Sequence, residues 1–144
     1  MDFMRGLDVS ATGLTAQRIR MDIISSNLAN VHTTRTSGGG PYRRKDVVFK
    51  EESGGSPETL SFKSILNSLK GVVVDAVKED TGPFKKVYDP GHPDADTKGY
   101  VSFPNVNTVE EMVNMLSATR SYEANITAVE SYKSMFMKAL DILR

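Results

Sequence analysis

Along the first thirty-one residues, side chains of one character return every three or four positions. Phe3, Leu7, Ala11, Leu14, Gln17, Met21, Ile24, Leu28 and Val31 mark the stripe, with Gln17 its one polar member. Leu7, Leu14, Met21 and Leu28 fall seven apart, the period of a coiled-coil seam rather than of a strand. The spacing predicts a helix over residues 1–31, about 45 Å long at 1.5 Å per residue. Gly6 and Gly13 interrupt it, each costing roughly 1 kcal/mol relative to Ala. Alone, such a helix is weak.

The pattern changes after residue 31. Gly and Pro punctuate residues 32–107 in "SGGGP", "SGGSP", "TGP", "DPGHP", "KGY" and "FPN". Between these breakers lie "DVVF", "GVVVDAV", "KKVY" and "GYVSF", short runs enriched in Val, Tyr and Phe that read as strands. Residues 62–70, "FKSILNSLK", stay open between strand and short helix. The middle therefore reads as a small β domain.

From residue 108 the helical period returns. Thr108 and Glu111 have capping-box spacing, Thr108 as N-cap and Glu111 reaching back from the third helical position. Met115, Thr119, Tyr122, Ile126, Val129, Lys133, Phe136, Leu140 and Leu143 then step by four and three. Val109, Met112 and Leu116 form an offset first segment, so the stripe wraps around the helix. No Gly or Pro interrupts residues 108–144.

The architecture expected is α+β: two long terminal helices forming a coiled-coil-like assembly domain, 1–31 with 108–144, and a small β-rich domain, 32–107, inserted between them. Two helices cannot bury wide stripes on each other without a further surface. Packing across the β domain and packing against other copies are the alternatives, and the seven-residue period favours the second. Subunit-interface positions are then Phe3, Leu7, Leu14, Met21, Ile24 and Leu28 on the first helix. On the last they are Val109, Met112, Met115, Leu116, Tyr122, Ile126, Val129, Phe136, Leu140 and Leu143.

Composition narrows the function classes. Lys+Arg and Asp+Glu balance at 18 each, so no global field draws the chain to nucleic acid or to an anionic membrane. There is no cysteine, which removes disulfides, thiol catalysis and thiolate metal sites. No run approaches the roughly 20 apolar residues of a membrane span, and "MDFMRGLDVSATGL" has neither the charged start nor the apolar core of a secretory signal.

Candidate chemistry concentrates in "YDPGHPDAD", residues 88–96, where Asp89, His92, Asp94 and Asp96 lie within eight positions. Such oxygen and imidazole groups can hold a divalent cation. A calcium-loop reading from Asp94, however, puts Lys98 where the fifth ligand oxygen belongs and Asn105 where a bidentate Glu belongs. The favoured reading is a turn-rich connector whose Asp side chains cap local backbone N–H groups. His32 has no partner arranged for catalysis, and no phosphate-binding glycine fingerprint or HExxH is present. No catalytic residue, metal ligand or cofactor is assigned.

Three motifs in order carry a resemblance. Ser26-Asn27-Leu28-Ala29-Asn30 closes the first helix. "GGPYRRKDVVF" (39–49) and "VYDPGHPDADTKGYVSFPNVN" (87–107) follow, and "VEEMVNMLSATRSYEANI" (109–126) opens the last helix. The chain resembles the bacterial flagellar rod family of axial proteins, closest to its proximal members, over nearly its whole length. Glu123 stands where that family usually has Gln.

The resemblance implies a structural subunit of the flagellar basal body rather than an enzyme. Such a subunit is exported by the flagellar type III apparatus without a cleaved signal. It polymerises through its terminal helices into the periplasmic shaft that transmits motor torque. Its partners would be copies of itself, other rod proteins, and the inner-membrane ring and export-gate region below. Another axial protein, of rod or hook type, is the alternative. Asp89, Pro90, Gly91, His92, Pro93 and Asp94 would be the family loop. In this reading residues 26–30 are a helix stop and an interface, with Asn30 suited to the left-handed conformation at a helix end and Asn27 a candidate for setting register.

Overall fold

The computed structural model describes residues 3–52 and 70–142, with the backbone alone at residues 3–5. Two long helices flank four short strands. α1 spans Phe3–Ala29, β1 Lys45–Glu51, β2 Val72–Glu79, β3 Lys85–Tyr88, β4 Tyr100–Phe103 and α2 Thr108–Ile142. All four strand expectations coincide with observed strands. "FKSILNSLK" lies, but for Lys70, outside the described residues, as do Leu143 and the side chain of Phe3.

The strands form two antiparallel pairs rather than one sheet. β1 pairs with β2, with a register shift between Val48 and Phe49, and β3 pairs with β4. α1 is the middle layer, touching α2 on one side and β1–β2 on the other. On the sheet side the Arg20 guanidinium sits 6.0 Å from the centroid of the Phe49 ring, and Val72 N–H donates to Thr12 Oγ1 at 3.2 Å.

The helices pack on each other within one chain, and α1 also packs across β1 and β2. Small residues make this possible. A methyl group added at Gly6 would stand 2.9 Å from Tyr132 Cζ, and one at Gly13 would stand 3.0 Å from Asn125 Nδ2. Ala118 is buried on α2, and Ala16 is buried on the side of α1 that faces Val72, Val73 and Val74 of β2. The glycines that weaken α1 as an isolated helix are therefore what lets α2 come close.

The pairing is antiparallel and keeps one register. Seven residues on from Gly6 is Gly13, and seven back from Tyr132 is Asn125. Fourteen further along α1 and fourteen further back along α2 lie Asn27 and Glu111, which are hydrogen-bonded. The inward seam of α2 thus runs through Glu111, Ala118, Asn125 and Tyr132. The expected stripe lies beside that seam, and its members Met115, Tyr122 and Val129 are half-buried.

Two end-of-helix expectations are corrected. Asn107, not Thr108, caps α2: its Oδ1 accepts from Val109 N–H at 3.1 Å, while its carbonyl accepts the first helical bond from Glu111 N–H. The Glu111 carboxylate does not reach back to the cap, because it is buried and bonded elsewhere. At the end of α1, Asn30 is not left-handed. Among the described residues positive φ occurs only at Gly39, Gly40 and Gly99. Asn30 stops the helix through its side chain: Nδ2 donates to the Ser26 carbonyl at 2.9 Å, and Oδ1 accepts from Thr33 Oγ1 at 3.1 Å.

Candidate functional site

The fully buried polar side chains, Asn27 and Glu111, are both 0% exposed and meet between α1 and the start of α2. Asn27 uses its whole hydrogen-bonding capacity. Its Nδ2 donates to the Lys45 carbonyl at 2.8 Å and to Glu111 Oε2 at 2.9 Å. Its Oδ1 accepts from Lys45 N–H at 2.9 Å and from the Tyr42 hydroxyl at 3.0 Å. The Lys45 backbone fixes the orientation of this amide, since its N–H can only donate and its C=O only accept. Tyr42 has a single hydroxyl proton, committed to Asn27, so Ser26 Oγ is the donor in the 3.3 Å contact between the two hydroxyls.

Glu111 is held from its other side by Arg44, whose Nε donates to Oε1 at 2.9 Å. Burial by itself lowers the Arg44 pKa. The hydrogen bond and charge of Glu111, with Asp46 beside it, outweigh that burial and hold the guanidinium above its ordinary value. Arg44 N–H donates to Asn105 Oδ1 at 2.9 Å. One cluster thus joins α1, the approach to β1, the segment after β4 and the first turn of α2. A carboxylate removed from water in this way is tolerable only because every contact it makes is a donor.

Of the expected positions, the cluster gathers Ser26, Asn27 and Glu111. Nothing in the sequence pattern marks Tyr42, Arg44 or Asn105 as functional, although each lies inside a motif that carries the family resemblance. Their convergence was invisible because they sit in turns, where no periodicity reports a facing partner. Ile24 is buried within its own chain. Val109, Met112, Leu116, Ile126, Phe136 and Leu140 are exposed, Val109 at 70%. Leu7, Leu14, Met21 and Leu28 are half-buried.

The acidic loop serves the backbone. Asp89 Oδ1 accepts from Gly91 N–H, and Asp96 Oδ1 accepts from Lys98 N–H at 2.7 Å and Tyr100 N–H at 3.0 Å. The bonds from Tyr100 and Lys98 hold the Asp96 carboxyl below its usual value. His92 Nδ1 accepts from Asp94 N–H at 3.1 Å, and Asp94 reaches Thr34 Oγ1 at 2.8 Å and Arg35 at 3.8 Å. The loop is thereby fastened to the turn after α1. Among the described residues no group of three or more His, Cys, Asp and Glu is placed to hold a metal ion.

Known proteins place this architecture. The chain is 47% identical to the flagellar basal-body rod protein FlgC of Borreliella burgdorferi, across 100% of this chain and 99% of that one. It belongs to the FlgC family. The Bacillus subtilis FlgC is 48% identical, with 99% of each chain covered, and that of Escherichia coli O157:H7 is 42% identical over 99% of this chain and 98% of its own. The family model for flagella basal body rod proteins matches residues 7–35. The model for the C-terminal part of flagellar basal body rod FlgEFG proteins matches residues 97–142. As a member of the FlgC family the chain is a structural subunit of the flagellar basal-body rod. The two matched stretches contain Asn27 on one side and Asn105 and Glu111 on the other.

Proposed function

We propose that this rod subunit polymerises through its helical layer, residues 1–31 with 108–144, while residues 32–107 form a separate β-rich unit. The observation that carries this reading is the outward face of α2. Val109, Met112, Val113 and Leu116 are all more than half exposed within its first turns, and Met135, Met137, Leu140 and Ile142 are exposed at its far end. Between them the exposed positions are mostly charged or small and polar, among them Arg120, Glu123, Thr127, Glu130 and Ser134. Apolar side chains gathered in two patches on one helix mark contact with other protein rather than with water.

Its neighbours in this reading are copies of itself, other rod proteins, and the inner-membrane ring and export-gate region. The place is the periplasmic shaft that carries motor torque, reached through the flagellum's own export apparatus without a cleaved signal. The work is mechanical and no catalysis is assigned. Among the described residues no helix is long and apolar enough to cross a membrane.

The test is Met112→Glu with Leu116→Glu. Both side chains point away from the body of the subunit, so the purified protein should unfold within about 0.5 kcal/mol of the original. Cells carrying the variant should lack flagella, with the subunit absent from isolated basal bodies. Normal motility would overturn the reading.

A further inference from the structure

We propose that the Asn27–Glu111–Arg44 cluster is a register pin, selecting one of several seven-residue alignments of α2 against α1 and tying that alignment to the β layer. A seam with a seven-residue repeat is degenerate, because sliding one helix by a heptad presents the partner with an equivalent row. Here the degeneracy is visible. Gly6 faces Tyr132 and Gly13 faces Asn125. Sliding α2 by seven residues places Gly13 against Tyr132, so the large ring again meets a residue without a side chain.

The same slide brings Ala118 to Asn27 and carries Glu111 away from both Asn27 and Arg44. One small-to-large contact survives, Gly13 against Tyr132, while a buried carboxylate loses its donors, a strongly destabilising loss inside a protein. The observed alignment is not one that satisfies all polar groups of α1. The Oε1 of Gln17 is buried without a hydrogen-bond partner. Asn27, by contrast, is satisfied four times over. Because Lys45 supplies two of those bonds and opens β1, the alignment of the helices and the placement of the first sheet are fixed by one side chain.

The chain contains no cysteine, so paired spin labels can be introduced cleanly. Asp8→Cys and Glu130→Cys use exposed positions on the two helices, one lying opposite the other in the observed register. Double electron–electron resonance on the labelled full chain should give one narrow distance distribution. Combining the labels with Asn27→Leu, Arg44→Leu and Glu111→Leu should add a second population, from an axial slip of about 10 Å per heptad at 1.5 Å per residue. Glu111→Ala alone should add the same population. A single unshifted distribution in either folded variant overturns the proposal. So does loss of the helical circular-dichroism signal in both, because the cluster would then supply stability rather than selection.

Discussion

Asp96 shows how a single exposed carboxylate can organise a turn. Its Oδ1 receives two backbone N–H groups, and those bonds depress its pKa. A depressed carboxylate contributes stability that is present above its unfolded value, near 3.9, and lost as pH falls through the folded value. The amide resonances of Lys98 and Tyr100 should therefore move together below about pH 4. In Asp96→Asn, whose carbonyl still accepts but does not titrate in that range, the movement should vanish. Persistence of the shift would assign it to another group.

Residue types were legible here, and their partners less so. The Asp side chains announced local turns, as observed at Asp89 and Asp96. The N-cap was displaced by one position because "NTVEE" contains both an Asn cap and a capping-box spacing. Arg44 decides between them by engaging the carboxylate that the box would need.

At the scale of elements, a residue can carry opposite signs alone and in context. Gly6 costs α1 roughly 1 kcal/mol in helix propensity, yet a methyl group there would press on Tyr132 Cζ at 2.9 Å. Gly6→Ala should therefore fail to stabilise the protein in urea unfolding. The same change in a Tyr132→Ala background should recover most of the propensity gain, and the double-mutant cycle isolates the packing contribution. Equal effects in both backgrounds would show that the helices yield at that point.

Both helices and all four strands were readable from period and punctuation. Which stripe of α2 faces inward was not. Its seam residues Glu111 and Asn125 are polar, and a hydrophobicity pattern assigns such residues to water. The offset of Val109, Met112 and Leu116 was visible, and it marks the face turned away from α1.

The whole molecule is layered, with α2 covering one side of α1 and β1–β2 the other, while β3–β4 is held by side-chain bonds such as Thr34 to Asp94. A layer so thin leaves much of α2 uncovered. Removing Leu140–Arg144 takes away exposed positions Leu140 and Ile142. The melting temperature of the isolated subunit should barely change, yet the truncated protein should fail to enter basal bodies. Burial of a Leu against a neighbour is worth roughly 1.5–3 kcal/mol, and the loss recurs in every subunit. A large fall in melting temperature would mean that the end of α2 already supports its own fold.

The bond between Asn27 and Glu111 spans 84 positions of the chain. Contacts of such separation carry a large loop-closure entropy and form slowly. Synthesis runs from α1 toward α2, so the first element made waits for the last before its inner face is covered. Until then α1, with its two glycines, has only marginal helicity of its own. Maturation of this subunit therefore has a built-in order, in which the strand pairs can form early and joining of the two ends is the closing event.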